Sequence, residues 1–94
     1  MKKISPLQED FFRTLSEIQE EIVQVSLSKH NSKDVEELLY DVTYETIYQI
    51  MEFIDGYTKK DLQLDLIEKH SKVSLRTDIE LHDTCASFIK SSKQ

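Results

Sequence analysis

Pro6 and Gly56 are the only proline and the only glycine in this chain, and each stands where a long helix can use it. Tight turns lean on glycine for positive φ and on proline for a preset φ, so a chain this poor in both cannot be built from many turns. Regular structure joined by short links is what remains. The sequence therefore reads as mainly helical.

Ser5-Pro6-Leu7-Gln8 has the form of a helix start. Ser5 is the N-cap, Pro6 takes the first helical position and Gln8 completes a capping box. Glu9 and Asp10 then sit in the positive field of the N-terminus. Leu7, Phe11, Leu15, Ile18, Ile22 and Val25 follow a helical spacing, widened by Phe12 and Val23, which predicts an amphipathic helix over 6–28 with this stripe in the core. Gln8 and Gln19 fall off the stripe, on the side assigned to solvent. A polar break follows, where Asn31 or Ser32 can cap a second helix over 34–55. Gly56 is placed to end that helix in a left-handed cap, with Tyr57 folding back on Phe53. The short link implies an antiparallel helical hairpin. In the second helix, the side centred on Leu39, Ile50 and Phe53 is expected to face the core, and Asp55 is grouped with the solvated carboxylates.

Residues 62–76 alternate differently. Leu62, Leu64 and Leu66, then Val73 and Leu75, recur at every second position on either side of His70-Ser71-Lys72. That period predicts a two-stranded β-hairpin, although no Asn-Gly or Asp-Gly marks its turn. Thr77 and Glu80 suggest a capping box for a last helix over 78–90, with Ile79, Leu81, Cys85, Phe88 and Ile89 as its apolar face. The expected fold is thus one small α+β domain, mainly helical, in the order α-α-β-β-α. An all-α bundle, with a helix over 61–70, is the alternative.

Charge and cysteine usage narrow the function classes. Twelve basic residues against eighteen acidic give a net −6, a balance that repels phosphate backbones and argues against nucleic-acid binding. A basic protein partner suits it. Lone Cys85 has no internal disulfide partner and fits a reducing, cytoplasmic setting. No apolar run is long enough to span a membrane.

Four groups of residues bear on chemistry. His82-Asp83 is an adjacent pair of the kind that metal-dependent phosphohydrolases use, but no acidic residue follows to complete a metal set. Cys85 lies three residues from His82, yet also in register with Leu81 and Ile89, where a small buried hydrophobe belongs. The carboxylates of the second helix lack the Glu-x-x-His that a di-metal bundle site needs. No metal, cofactor or phosphate-binding loop is expected. Tyr40, Tyr44 and Tyr48 step at four-residue intervals from the apolar edge toward the acidic face, which leaves Tyr48 the most exposed. Aromatic rings among carboxylates suit a partner bearing Lys or Arg. The expectation is a non-enzymatic, acidic protein-binding module that uses Tyr44, Tyr48, Asp41, Glu45 and Glu52. A bacterial immunity protein or antitoxin covering a basic toxin is its most concrete form. A homodimer is the second reading, and a small metal-dependent hydrolase using His82, Asp83 and Cys85 the third.

Overall fold

The computed structural model describes residues 3–29, 32–58, 60–61 and 63–92. Two long helices, α1 (Pro6–Leu27) and α2 (Lys33–Ile54), are followed by a short α3 (Leu81–Cys85). Local chemistry sets the ends of the long pair. Ser5 Oγ accepts from Gln8 N at 3.1 Å, while Ser5 N donates to Gln8 Oε1 at 2.8 Å. Ser32 accepts from Val35 N at the start of α2; Asn31 lies outside the described residues.

The end of α2 is a Schellman cap. Gly56 has φ 90, Gly56 N donates to Phe53 O at 3.1 Å, and Tyr57 N donates to Glu52 O at 3.0 Å. A Cβ at Gly56 would come no closer than 3.8 Å to Gln63 Oε1, so only backbone strain opposes a side chain there. Gly56→Ala is expected to cost about 1–2 kcal/mol through that left-handed φ, read as a lower urea midpoint with an unchanged denaturant slope.

The β-hairpin expected over 62–76 is not there. Among the described residues a single antiparallel bridge, Ile67 with Ser74, stands where a ladder was expected, and Leu62 lies outside them. Nor is 63–70 helical. Short polar side chains have taken over the backbone groups. Asp65 accepts from Leu66 N and Ser74 Oγ, and Glu68 accepts from His70 N and Ser71 N. Those bonds hold both carboxyls below their usual range. Lys72 then turns through φ 63, which ends any strand. The protein is mainly helical.

The last helix is also shorter than the expected 78–90. Asp78 sits at φ 62, so no helix runs through it, and Thr77 Oγ1 donates to Ser74 O rather than capping. Glu80 stands at the N-cap with no side-chain bond to α3. Asp55, at the C-cap of α2, does that work from outside: its Oδ1 accepts from Leu81 N at 3.1 Å and its Oδ2 from His82 N at 2.9 Å.

Phe12, Met51, Leu75, Leu81, Cys85 and Ile89 form the core, between the α1–α2 hairpin and the chain from Leu75 onward. Phe12 is fully buried, with Phe88 stacked on it at 5.6 Å and Phe11 edge-on at 5.2 Å. The inward, buried line of α1 is Gln8, Phe12, Gln19 and Val23; of the expected stripe, Leu7, Phe11 and Leu15 are half-buried against the core, while Ile18, Ile22 and Val25 are exposed. Both glutamines are buried because they tie down the last third. Gln8 Nε2 donates to Leu75 O and Thr77 O, each at 3.0 Å. Gln19 Nε2 donates to Lys90 O at 2.7 Å and to Thr43 Oγ1 at 3.0 Å, and its Oε1 accepts from Lys90 N at 2.7 Å.

Candidate functional site

This inward line leaves an apolar stripe bare. Helical geometry of about 100° per residue puts Ile18, Ile22 and Val25 roughly 60–120° round α1 from Gln19. They are 44%, 46% and 54% exposed. On α2, Tyr44 and Tyr48 pack against the core, while Val42, Ile50 and Phe53 lie about 140–160° away on the far side. Val42 is 53% exposed and Ile50 48%. In an antiparallel pair these two directions coincide. The outer face of the hairpin, opposite the chain from Leu75 to Ser92, therefore carries apolar side chains from both helices. Half-buried Leu15, Leu39 and Ile47 flank the line between them. Ile50 and Phe53, expected in the core, are part of this face, because α2 turns its tyrosine edge inward to meet α3.

Charge is divided unevenly between the two long helices and the rest of the chain. In α1, Glu9, Asp10, Glu17, Glu20 and Glu21 stand against Arg13 alone. In α2, Asp34, Glu36, Glu37, Asp41, Glu45 and Glu52 stand against Lys33 alone. The hairpin helices thus carry a formal −9 of a chain total of −6, leaving +3 for everything else. Exposed Asp10, Glu17 and Glu21 edge the apolar face along α1, and Glu45 and half-buried Glu52 edge it along α2. A shallow groove runs along that second edge, lined by Glu45, Thr46, Gln49, Ile50, Glu52 and Phe53 with Thr58. Arg13 is turned away, paired with Glu9 at 2.9 Å and lying over the Phe88 ring.

The five residues singled out from sequence do not form one seam. Tyr44 and Tyr48 stack on each other at 6.0 Å, and Tyr48 meets the His82 ring edge-on at 5.5 Å. Tyr48 is half-buried, as are Tyr40 and Tyr44, and burial is the first cause that raises its phenol pKa. Asp41 accepts from Ser92 N at 2.7 Å and Ser92 Oγ at 2.6 Å, so it fastens the chain beyond α3. Glu45 and Glu52 alone border the outer face.

His82 has Asp55, not Asp83, as its partner. Its Nδ1 lies 2.7 Å from Asp55 Oδ2, both groups are buried, and Tyr57 closes over the ring at 4.8 Å. Asp83 is exposed. Arg76 reaches the same carboxylate: its Nε is 3.2 Å from Asp55 Oδ1, too far off line for a directed hydrogen bond, so the contact is an ion pair. Arg76 also donates to Leu64 O at 2.9 Å and to Asp55 O at 3.4 Å. Cys85 is fully buried, and burial, aided by Asp55, pushes its thiol up to about 12. No thiolate forms there at neutral pH. His30 lies outside the described residues, and among those described no three His, Cys, Asp or Glu side chains are grouped to hold a metal.

A cleft of about 1020 Å³ opens beside α3 between Ile4, Glu9, Arg76, Glu80, Asp83 and Phe88. Three of its charged groups are engaged within the protein: Arg76 with Asp55, Glu9 with Arg13, and Glu80 with the Tyr57 hydroxyl, while Lys3, Asp78 and Asp83 also line it.

Among the described residues, no helix is long and apolar enough to cross a membrane. No family model matches the chain, and no curated protein or solved structure shows significant similarity to it.

Proposed function

We propose that this protein is a non-enzymatic binding module that engages a basic protein partner through the outer face of its α1–α2 hairpin. One observation carries the reading: an apolar face contributed by both long helices is left open and is edged by carboxylates. A contiguous exposed apolar surface rimmed by polar groups is the usual mark of an interaction site. Burying such a face, at roughly 25 cal/mol per Å², supplies the affinity, and the carboxylates supply orientation and choice of partner. An inhibitor that covers a basic toxin or enzyme is the most concrete form of this activity, and a reducing, cytoplasmic location suits the free Cys85 thiol.

The test compares three tagged forms for partner recovery from cells of the source: wild type, Ile22→Glu/Val42→Glu, and Tyr44→Ala/Tyr48→Ala. Circular dichroism first establishes that each is folded. A partner of basic composition is expected with the wild type and lost with the outer-face variant. Undiminished recovery by the outer-face variant, or loss only with the tyrosine variant, would return the site to the tyrosine side.

A further inference from the structure

Resting on that reading, we infer that the occupant of the outer face is a single cationic amphipathic helix of the partner, laid along the seam between α1 and α2. Each helix has 22 residues. At 1.5 Å per residue the seam is about 33 Å long, matching a guest helix of roughly five or six turns. Two helices packed about 8–10 Å apart leave a shallow trough between them. With Gln19 level with Tyr40 and Thr43, the exposed apolar side chains follow one another along it: Ile18, Ile22 and Val25 on α1 toward one end, then Val42, Ile50 and Phe53 on α2 toward the other. A third helix lying in such a trough is read by an i, i+3, i+4, i+7 apolar stripe.

The margins choose between occupants. Outside the lips stand Glu17 and Glu21 on one side and Glu45 and Glu52 on the other, with no Lys or Arg among the margin residues of either helix. A guest that places Lys or Arg on both flanks of its apolar stripe meets a carboxylate on each side. A second copy of this chain meets the opposite situation. Any two-fold pairing of the face with itself sets acidic margins against acidic margins, since both edges carry the same sign. An anionic lipid surface is repelled for the same reason.

The experiment uses synthetic helical peptides of about 18 residues and isotope-labelled protein at about 0.15 M salt. The first peptide carries a leucine stripe flanked by lysines, the second the same stripe flanked by glutamates. The third has the composition of the first with its stripe scrambled. The lysine-flanked peptide is expected to bind, with amide shifts centred on Ile18, Ile22, Val42 and Ile50. The other two are expected to bind at least about tenfold more weakly, as is the first peptide to an Ile22→Ser/Val42→Ser variant. Equal binding of the scrambled peptide would reduce the contact to charge alone and overturn the inference. Shifts gathered at Tyr44 and Tyr48 would place the site elsewhere. A wild-type dimer in sedimentation, dissociated by Ile22→Ser/Val42→Ser, would make a second copy the occupant. Should the lysine-flanked peptide fail while the Glu variants still abolish partner recovery, the binding role stands and the helical occupant falls. If neither holds, both fall.

Discussion

Asp55→Ala is expected to remove most of the chain's stability at room temperature, measured as a much lower urea midpoint and an earlier loss of helical signal by circular dichroism. Asp55 is buried, and one carboxylate serves Leu81 N, His82 N, His82 Nδ1 and the Arg76 guanidinium. Removing the acceptor from a buried network costs about 3–5 kcal/mol, because the partners are left desolvated and unpaired. The exposed fraction of Arg76 puts its share at the low end, since water can recover that charge. A domain of this size has about 5–14 kcal/mol in all, and a small core puts it toward the lower bound. Asp55→Asn keeps the shape and one acceptor oxygen, so its loss is expected to be smaller, about 1–3 kcal/mol. A stability within about 1 kcal/mol of wild type for the alanine variant would show that α3 does not depend on its borrowed cap.

Gln19→Leu is expected to free the chain around Lys90 while sparing the two long helices. The substitution keeps apolar bulk in a fully buried place but removes both bonds to the Lys90 backbone. Thr43 Oγ1 retains Leu39 O as an acceptor, so the unpaired groups are chiefly the N–H and C=O of Lys90. Their loss is worth about 2–4 kcal/mol if the segment stays packed, and less if it peels away to water. Hydrogen exchange separates the outcomes: the Lys90 amide is expected to lose its protection, while amides in the middle of α1 and α2 keep theirs. The remaining ties, from Glu20 to Lys90 at 3.2 Å and from Asp41 to Ser92, are exposed or half-exposed. They are too weak to hold the segment alone. Protection unchanged at Lys90 would mean that Phe88 and Ile89 anchor it by packing.

What was legible in the sequence is what is decided within a few residues. Ser5 and Gln8 cap each other across three positions, Ser32 caps α2 over the same distance, and Gly56 with Tyr57 closes α2 locally. The buried roles of Asp55, Gln8 and Gln19 instead involve partners far away in sequence. Asp55 looks like one more helix carboxylate until Leu81 and His82 arrive, 26 and 27 positions later, with free N–H groups. Gln8 and Gln19 share the line of Phe12 and Val23, and a polar residue on such a line was the available sign of a buried tether. Apolar spacing gives more weight to the neighbouring stripe, of which Leu7, Phe11 and Leu15 reach the core while Ile18, Ile22 and Val25 stay exposed. Between Leu64 and Leu75 the alternation was real, but Asp65 and Glu68 met the backbone N–H groups first and no ladder formed. The open face was misread for the same reason that it matters: apolar periodicity marks surface that must be covered, and does not say by which chain.

The tethers from α1 to the last third also set an order of events at the ribosome. They join Gln8 to Thr77 and Gln19 to Lys90, 69 and 71 positions apart. A chain made at roughly 5–20 residues per second has both long helices complete for about 2–7 s before residue 90 is added. Until residues 75–90 are in place, Phe12 and Met51 lack the Leu75, Leu81 and Ile89 that pack with them in the finished protein. Newly made protein is therefore sticky on two sides and finished protein on one. A partner that recognises only the outer face can seat itself on the unfinished chain and stay, while whatever shields the inner face must leave before residues 75–90 can close.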